Sequence, residues 1–236
     1  MLHSFQFKLL KSHTARAGTA ILLGDQQAAP SLGRPIRDAL RSLGHTSIIT
    51  IDYDGTADIL HDLNYPLDSN LKADLFFDGG VIEHVANAGQ CLSTCVNLTK
   101  VGGLLMQTCP LNCYGASYYG IDPLLLRDFY RSNGFEELSL QIVDWSNWRT
   151  SLIYAASRIP SVAEFVRKQG WGKSILLEDP QPSIFTVAPG WIEDPKYLKV
   201  PFMRKVPLTS HVLYLGVRTQ EVPLRWPAQR DYPKAE

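Results

Sequence analysis

The sequence predicts an α/β protein built on a doubly wound, mostly parallel sheet of about seven strands, with helices on both faces and a C-terminal cap insertion. Three stretches carry that prediction. Residues 19–23, a helical face at Ile36, Ala39, Leu40 and Leu43, and residues 47–51 read as strand, helix, strand. Residues 73–110 repeat the pattern. The apolar run Leu75-Phe76-Phe77 stops at Asp78-Gly79-Gly80, as a buried parallel strand does where a ligand site begins. Residues 88–99 then place Ala88, Cys91, Leu92, Cys95, Val96 and Leu98 near helical spacing, and Leu104-Leu105-Met106 restarts a strand that Pro110 closes. Last, residues 211–217 form an apolar strand expected to return to the sheet antiparallel.

Taken in order, residues 1–17 are basic and weakly patterned, either a loose arm or a short helix over the sheet. The strand at 19–23 ends at Gly24, and a turn follows at 25–30. Ser31 suits the N-cap of the first helix and Gly44 its C-cap. The strand at 47–51 runs into Asp52-Tyr53-Asp54-Gly55. Only about twenty residues separate Asp52 from the next long strand. That length predicts a short third strand around 58–61 and a missing or vestigial second helix. Gly102-Gly103 is expected to end the helix at 88–99, because glycine takes positive φ at little cost. Asp122-Pro123 reads as an N-cap with proline at the first helical position, opening a helix over 124–131 that Asn133-Gly134 ends before a strand at 138–143.

Residues 145–210 differ in texture. They hold Trp145, Trp148, Trp171 and Trp191, and ten of the 15 prolines fall after residue 159. One helix fits at 161–169, and the segment reads as a cap over the carboxyl edge of the sheet, within a single domain spanning 1–236. Gly172-Lys173-Ser174 lacks the upstream glycine of a phosphate loop, since Arg167 stands there. The tail, with Pro223, Pro227 and Pro233, reads as irregular.

Composition narrows the function. Lys plus Arg and Asp plus Glu are both 23 in 236 residues, so the net charge is zero, which argues against a nucleic-acid partner. No run reaches eighteen apolar residues and the start has no long apolar core, so neither a membrane span nor a secretory signal is expected, and a cytoplasmic location follows. Cys91, Cys95, Cys109 and Cys113 match no zinc spacing and read as buried small apolar residues, with no metal expected. The exposed aromatics expected at 145–210 leave a homodimer open.

Asp74 to Asp78, Glu83-His84-Val85 and Lys100-Val101-Gly102-Gly103 resemble the fourth strand, following helix and fifth-strand turn of class I S-adenosylmethionine-dependent methyltransferases, whose fold is Rossmann-like. The resemblance covers about residues 18–144 and the strand at 211–218. It implies S-adenosylmethionine as cofactor and methyl transfer to oxygen, nitrogen or carbon of a small-molecule or metabolite acceptor. It implies cofactor contacts at Gly24 and Asp25 after the first strand, Asp52 on the ribose diol with Asp54 as its neighbouring alternative, Asp62 and Leu63 around the adenine, and Asp78 and Gly79 after the fourth strand. The family's glycine-rich loop is represented by Gly24-Asp25-Gln26-Gln27, with one glycine only. That departure keeps a second reading alive, a non-catalytic relative serving in binding or assembly. The loop at 112–120 follows the fifth strand. It offers Asn112 and Tyr114 as substrate contacts and Tyr118 or Tyr119, with His84, as candidate bases. Each tyrosine also suits plain packing, and His84 also suits a structural role beside its helix.

Overall fold

The computed structural model describes residues 1–13, 17–29, 32–112, 117–144, 183–186 and 210–228. Among these, eight strands form one sheet: β1 (Gly18–Leu23), β2 (His45–Asp52), β3 (Ile59–Leu60), β4 (Ala73–Gly79), β5 (Thr99–Pro110), β6 (Phe135–Asp144), β7 (Ser183–Thr186) and β8 (Ser210–Arg218). Their order is β3-β2-β1-β4-β5-β8-β6-β7. The first five in that order run parallel. β8 is wedged antiparallel between β5 and β6, and β7 adds antiparallel to the outer side of β6. This is the doubly wound, Rossmann-like sheet that the motifs predict, with one strand more than the expected seven.

The faces separate cleanly because strand residues alternate sides. On β4, Leu75 and Phe77 join Leu10 of α1 (Ser4–His13) and Ile36 and Leu40 of α2 (Ile36–Arg41) in one core. Phe76, between them, joins the other core with Cys91 and Leu92 of α3 (Ala88–Leu98) and Leu126 and Phe129 of α4 (Pro123–Ser132). Both faces are covered, so β4 reads as a continuous apolar run; full burial of each such side chain contributes about 2–3 kcal/mol. Cys91, Cys95 and Cys109 are free and buried, as expected, while Cys113 lies outside the described residues.

Several boundaries differ from the sequence reading. The arm at the start is a helix, α1, and its Gln6 reaches through to donate from Nε2 to Thr108 Oγ1 of β5 at 2.7 Å. The N-cap of α2 is Pro35, without a side-chain cap, rather than Ser31, which lies outside the described residues. Gly102-Gly103 does not end α3, whose last residue is Leu98. The helix stops because Arg218 Nη1 donates to the Val96 and Thr99 carbonyls at 2.9 and 2.6 Å, and Lys72 Nζ donates to Asn97 O at 2.6 Å. Cations at the carboxyl end satisfy orphan carbonyls and the helix dipole together. The glycines lie instead inside β5, where a Cβ on Gly103 would stand 2.6 Å from the Ala73 carbonyl. They permit a close approach of β5 to β4.

The short third strand and the absence of a helix between β3 and β4 agree with expectation. So does α4, where Asp122 accepts from Leu124 N at 2.8 Å and Pro123 opens the helix. The described tail, 219–228, has no regular structure and is held by Asn133, whose Nδ2 donates to Arg225 O at 2.8 Å and whose Oδ1 accepts from Arg225 N at 2.9 Å. Of the expected cap, 183–186 and Ser210 are described; 183–186 lengthens the sheet at its β6 edge, and Ser210 opens β8. The rest, with Trp145, Trp148, Trp171, Trp191 and the helix expected at 161–169, lies outside the described residues. Among the described residues, no helix is long and apolar enough to cross a membrane.

Candidate functional site

The parallel strands all point their carboxyl ends to one edge, where β1 and β4 lie side by side and their following helices depart to opposite faces. Such a switch point opens a crevice. Here the crevice is a cleft of about 790 Å³. Tyr53 lines it from the end of β2, His61, Asp62, Leu63 and Asn64 from the loop after β3, Val81, His84 and Val85 from the turn after β4, and Ser117 and Tyr118 from the loop after β5.

Gly24 turns out of β1 at φ +75°, and a Cβ there would stand 2.8 Å from Val81 Cγ2. Glycine therefore lets the turns after β1 and β4 touch. Asp52 ends β2 and grips the neighbouring turns: its Oδ2 accepts from Asp25 N at 2.9 Å and its Oδ1 from Tyr53 N at 2.7 Å. Each carboxylate oxygen keeps a lone pair for a further donor. Asp25 itself turns the other way, into a separate hollow of about 520 Å³ shared with Gln27, Arg34 and Arg37. Asp62 Oδ1 accepts from both Asn64 N (2.9 Å) and Asn64 Nδ2 (2.8 Å), which shapes the loop that carries buried Leu63 into the cleft.

Asp78 differs from the expectation of a cofactor contact. It is fully buried, with Oδ2 accepting from Gln107 Nε2 at 2.8 Å and Oδ1 from Gly80 N and Val81 N at 3.1 and 2.8 Å. Gln107 Oε1 in turn accepts from Tyr130 Oη at 2.7 Å. Asp78 thus builds the turn after β4 from beneath, and burial raises its carboxyl above the ordinary range despite these bonds. Gly79 presents its carbonyl upward, where it accepts from the Met1 ammonium at 2.8 Å; the same ammonium donates to Gln26 Oε1.

The acceptor-side residues separate. His84 ends a short 3-10 turn, Ile82–His84, detached from α3, and is exposed to the cleft. Tyr118 is 70% exposed and lines the cleft, its N–H donating to the Glu83 carbonyl at 2.9 Å. Tyr119 packs edge-on to Tyr118 and donates its hydroxyl to the Ala86 carbonyl. Asn112 turns away, its Oδ1 accepting from Ser210 N at 3.0 Å and so pinning β5 to β8. Tyr114 lies outside the described residues.

Sequence reasoning missed Tyr53, Gln26 and Glu83 as site residues. Tyr53 follows Asp52 directly, so position alone pointed to it. Glu83 is 6% exposed, and its Oε2 has no hydrogen-bond partner among the described residues. Burial, and then the nearby Asp78 charge, push its carboxyl up to about 8.

No family model matches the sequence, and no curated protein is similar to it by sequence. Among solved structures, this chain is similar to the MccD protein, with a TM-score of 0.51 and 12% identity over 91% of this chain and 97% of that one. Phosphoethanolamine N-methyltransferase 2 from Haemonchus contortus, solved with phosphomonomethylethanolamine and S-adenosylhomocysteine, gives 0.49 and 11% over 92% of this chain and 53% of that one. The [4+2]-cyclase SpnF gives 0.48 and 12% over 90% and 79%. At these identities the likeness is one of fold, and a fold hosts many chemistries.

Proposed function

We propose that this chain binds S-adenosylmethionine at the carboxyl ends of β1, β2 and β4 and methylates a small-molecule acceptor. The supporting observation is the convergence on one cleft of Tyr53 beside Asp52, Asp62 with Leu63, and His84 with Tyr118. Four different loops meet where the resemblance to class I methyltransferases expects cofactor and acceptor.

The residues present fit the cofactor in chemistry. Asp52 has acceptor capacity for a vicinal diol. Leu63 and Tyr53 offer apolar walls for a purine, with Asp62 as acceptor for its amino group. Bound there, the cofactor supplies an electrophilic methyl group on a sulfonium. The chain orients the acceptor, excludes water and takes a proton where the acceptor must lose one, a role within reach of His84 or the Tyr118 hydroxyl. The neutral total charge favours a small acceptor over a polyanion.

The second reading, a binding or assembly protein without turnover, is favoured by one observation. Gln26, where the family places small residues, and Met1 together crowd Gly79. Calorimetric titration with S-adenosylhomocysteine tests both. Wild type should bind, and Asp52→Ala should weaken binding by about 1–3 kcal/mol while leaving thermal stability within about 1 kcal/mol. Absence of binding by a folded wild type removes the cofactor reading.

A further inference from the structure

We propose that Gln26 is a specificity-determining residue of the cleft: its side chain fills the crevice between the turns after β1 and β4, so the site takes the adenosine part of a ligand freely and admits an extended amino-acid end only when Gln26 swings aside. The inference rests on the cofactor reading above and deepens it.

The backbone aims the side chain there. Gln26 N donates to the Gly24 carbonyl at 2.8 Å, a three-residue turn that reverses the chain directly after β1. Gly24 N donates to the Ile51 carbonyl at 2.7 Å and Asp25 N to Asp52 Oδ2 at 2.9 Å, so the turn is tied to the end of β2 as well. From this turn the Gln26 carboxamide folds back over the strand ends. Its Nε2 donates to the carbonyl of Leu23, the last residue of β1, at 2.8 Å. On the β4 side its Oε1 lies 2.5 Å from where a Cβ on Gly79 would stand, and its Nε2 lies 3.2 Å from where one on Gly24 would. The space that two glycines leave open at the switch point is thus taken by a side chain of the protein itself.

Strand order decides which part of a ligand meets this obstacle. Asp62 and Leu63 follow β3, and Asp52 ends β2; β1 with Gly24 comes next, then β4 with Gly79. With adenine at Asp62 and Leu63 and ribose at Asp52, whatever the ribose carries on its 5′ carbon runs on toward Gly24 and Gly79. A Cβ on Gly24 would stand 3.7 Å from Asp52 Oδ2, and Val81 Cγ2 and Gln26 Nε2 lie 2.8 and 3.2 Å from that same point. The obstruction therefore begins directly beside the ribose position. The cavities agree with this placement. Val81 bounds the cleft of about 790 Å³, and Gln26 bounds the separate hollow of about 520 Å³. A short 5′ substituent stops before the wall between them. A homocysteine chain reaches it and must break the hydrogen bond from Gln26 to Leu23.

The test uses the full chain and two probes. S-adenosylhomocysteine carries the amino-acid end; 5′-methylthioadenosine keeps the adenosine and ends in a methyl group. Calorimetry should find that wild type binds 5′-methylthioadenosine at least as tightly as S-adenosylhomocysteine. Gln26→Ala should tighten S-adenosylhomocysteine by about tenfold, the order of one hydrogen bond that the ligand no longer has to break, and should leave 5′-methylthioadenosine within about twofold. Gln26→Leu refills the space without an amide and should keep S-adenosylhomocysteine the weaker ligand. Tighter binding of S-adenosylhomocysteine than of 5′-methylthioadenosine by wild type overturns the inference, and that comparison needs no variant. A loss of S-adenosylhomocysteine affinity in Gln26→Ala also overturns it, by making the carboxamide a ligand contact. So does an unchanged ratio between the two probes in that variant. While S-adenosylhomocysteine still binds, these outcomes leave the cofactor reading standing. Its failure to bind either wild type or Gln26→Ala removes that reading as well.

Discussion

The two aspartates of β4 face opposite fates. Asp74, at the amino end, forms an ion pair with Lys100 and accepts from Thr19 N at 2.9 Å. Burial works against its charge, yet Lys100 and the Thr19 N–H outweigh it and hold the carboxyl below its ordinary range. Asp78, four residues on, has no cationic side chain bonded to it among the described residues, and burial raises its carboxyl. Glu83 joins it as a second buried acid. One end of the strand is thus neutralised in place. The other gathers two buried carboxyl groups beneath a carbonyl and a cleft. Ligands bind at carboxyl ends because the loops there are free to vary, while the amino ends serve mainly to tie the sheet. The electrostatics of β4 follow that division.

Substitutions can break the contrast. The largest effect is expected from Asp78→Ala, which strands Gln107 Nε2, Gly80 N and Val81 N in a dry interior. Denaturant unfolding should show a loss of about 3–5 kcal/mol. Next, Tyr118→Phe should lower turnover about 10²-fold with cofactor affinity unchanged, since its phenol is the one open to the cleft. Tyr119→Phe should instead leave turnover near wild type and cost about 1 kcal/mol of stability, because its hydroxyl is engaged by Ala86. Equal kinetics for both variants on the true acceptor would make the loop a packing element.

Asp74→Ala should destabilise by about 1–2 kcal/mol, less than Asp78→Ala, because Lys100 is partly exposed and can turn to water. It should leave S-adenosylhomocysteine affinity untouched; a matching loss of affinity would show that the two ends are not separate. The smallest effect is a pH dependence. Glu83 has a raised folded-state value, so its stabilising contribution is complete below the unfolded carboxyl range and is lost as pH rises toward about 8. Between pH 6 and 9 wild type should therefore lose more thermal stability than Glu83→Gln, by about 3–6 °C in Tm. Parallel curves would mean that Glu83 does not titrate across this range.

Much of this was legible along the chain because its signals are local. Apolar runs ending in acid and glycine marked β1, β2 and β4, Asp122-Pro123 marked the start of α4, and a twenty-residue gap forbade a helix before β4. Glu-His-Val and the double glycine carried the resemblance from which the cleft's position follows. What the sequence could not specify depends on partners distant in the chain. Arg218 ends α3 from 119 residues beyond Thr99, so the glycines looked like the natural stop. Asn112 offered a polar side chain at a ligand edge, and Ser210 takes it. Asp78 and Glu83 are both acids close to the Gly79-Gly80 pair in the sequence. Only folding decides that Gln107 and two backbone N–H groups reach one while, among the described residues, nothing reaches Oε2 of the other. Local propensity and periodicity determine which elements form and where their ends converge; desolvation and long-range hydrogen bonding, which exist only once the strands are side by side, determine which of the converged groups remain free to act.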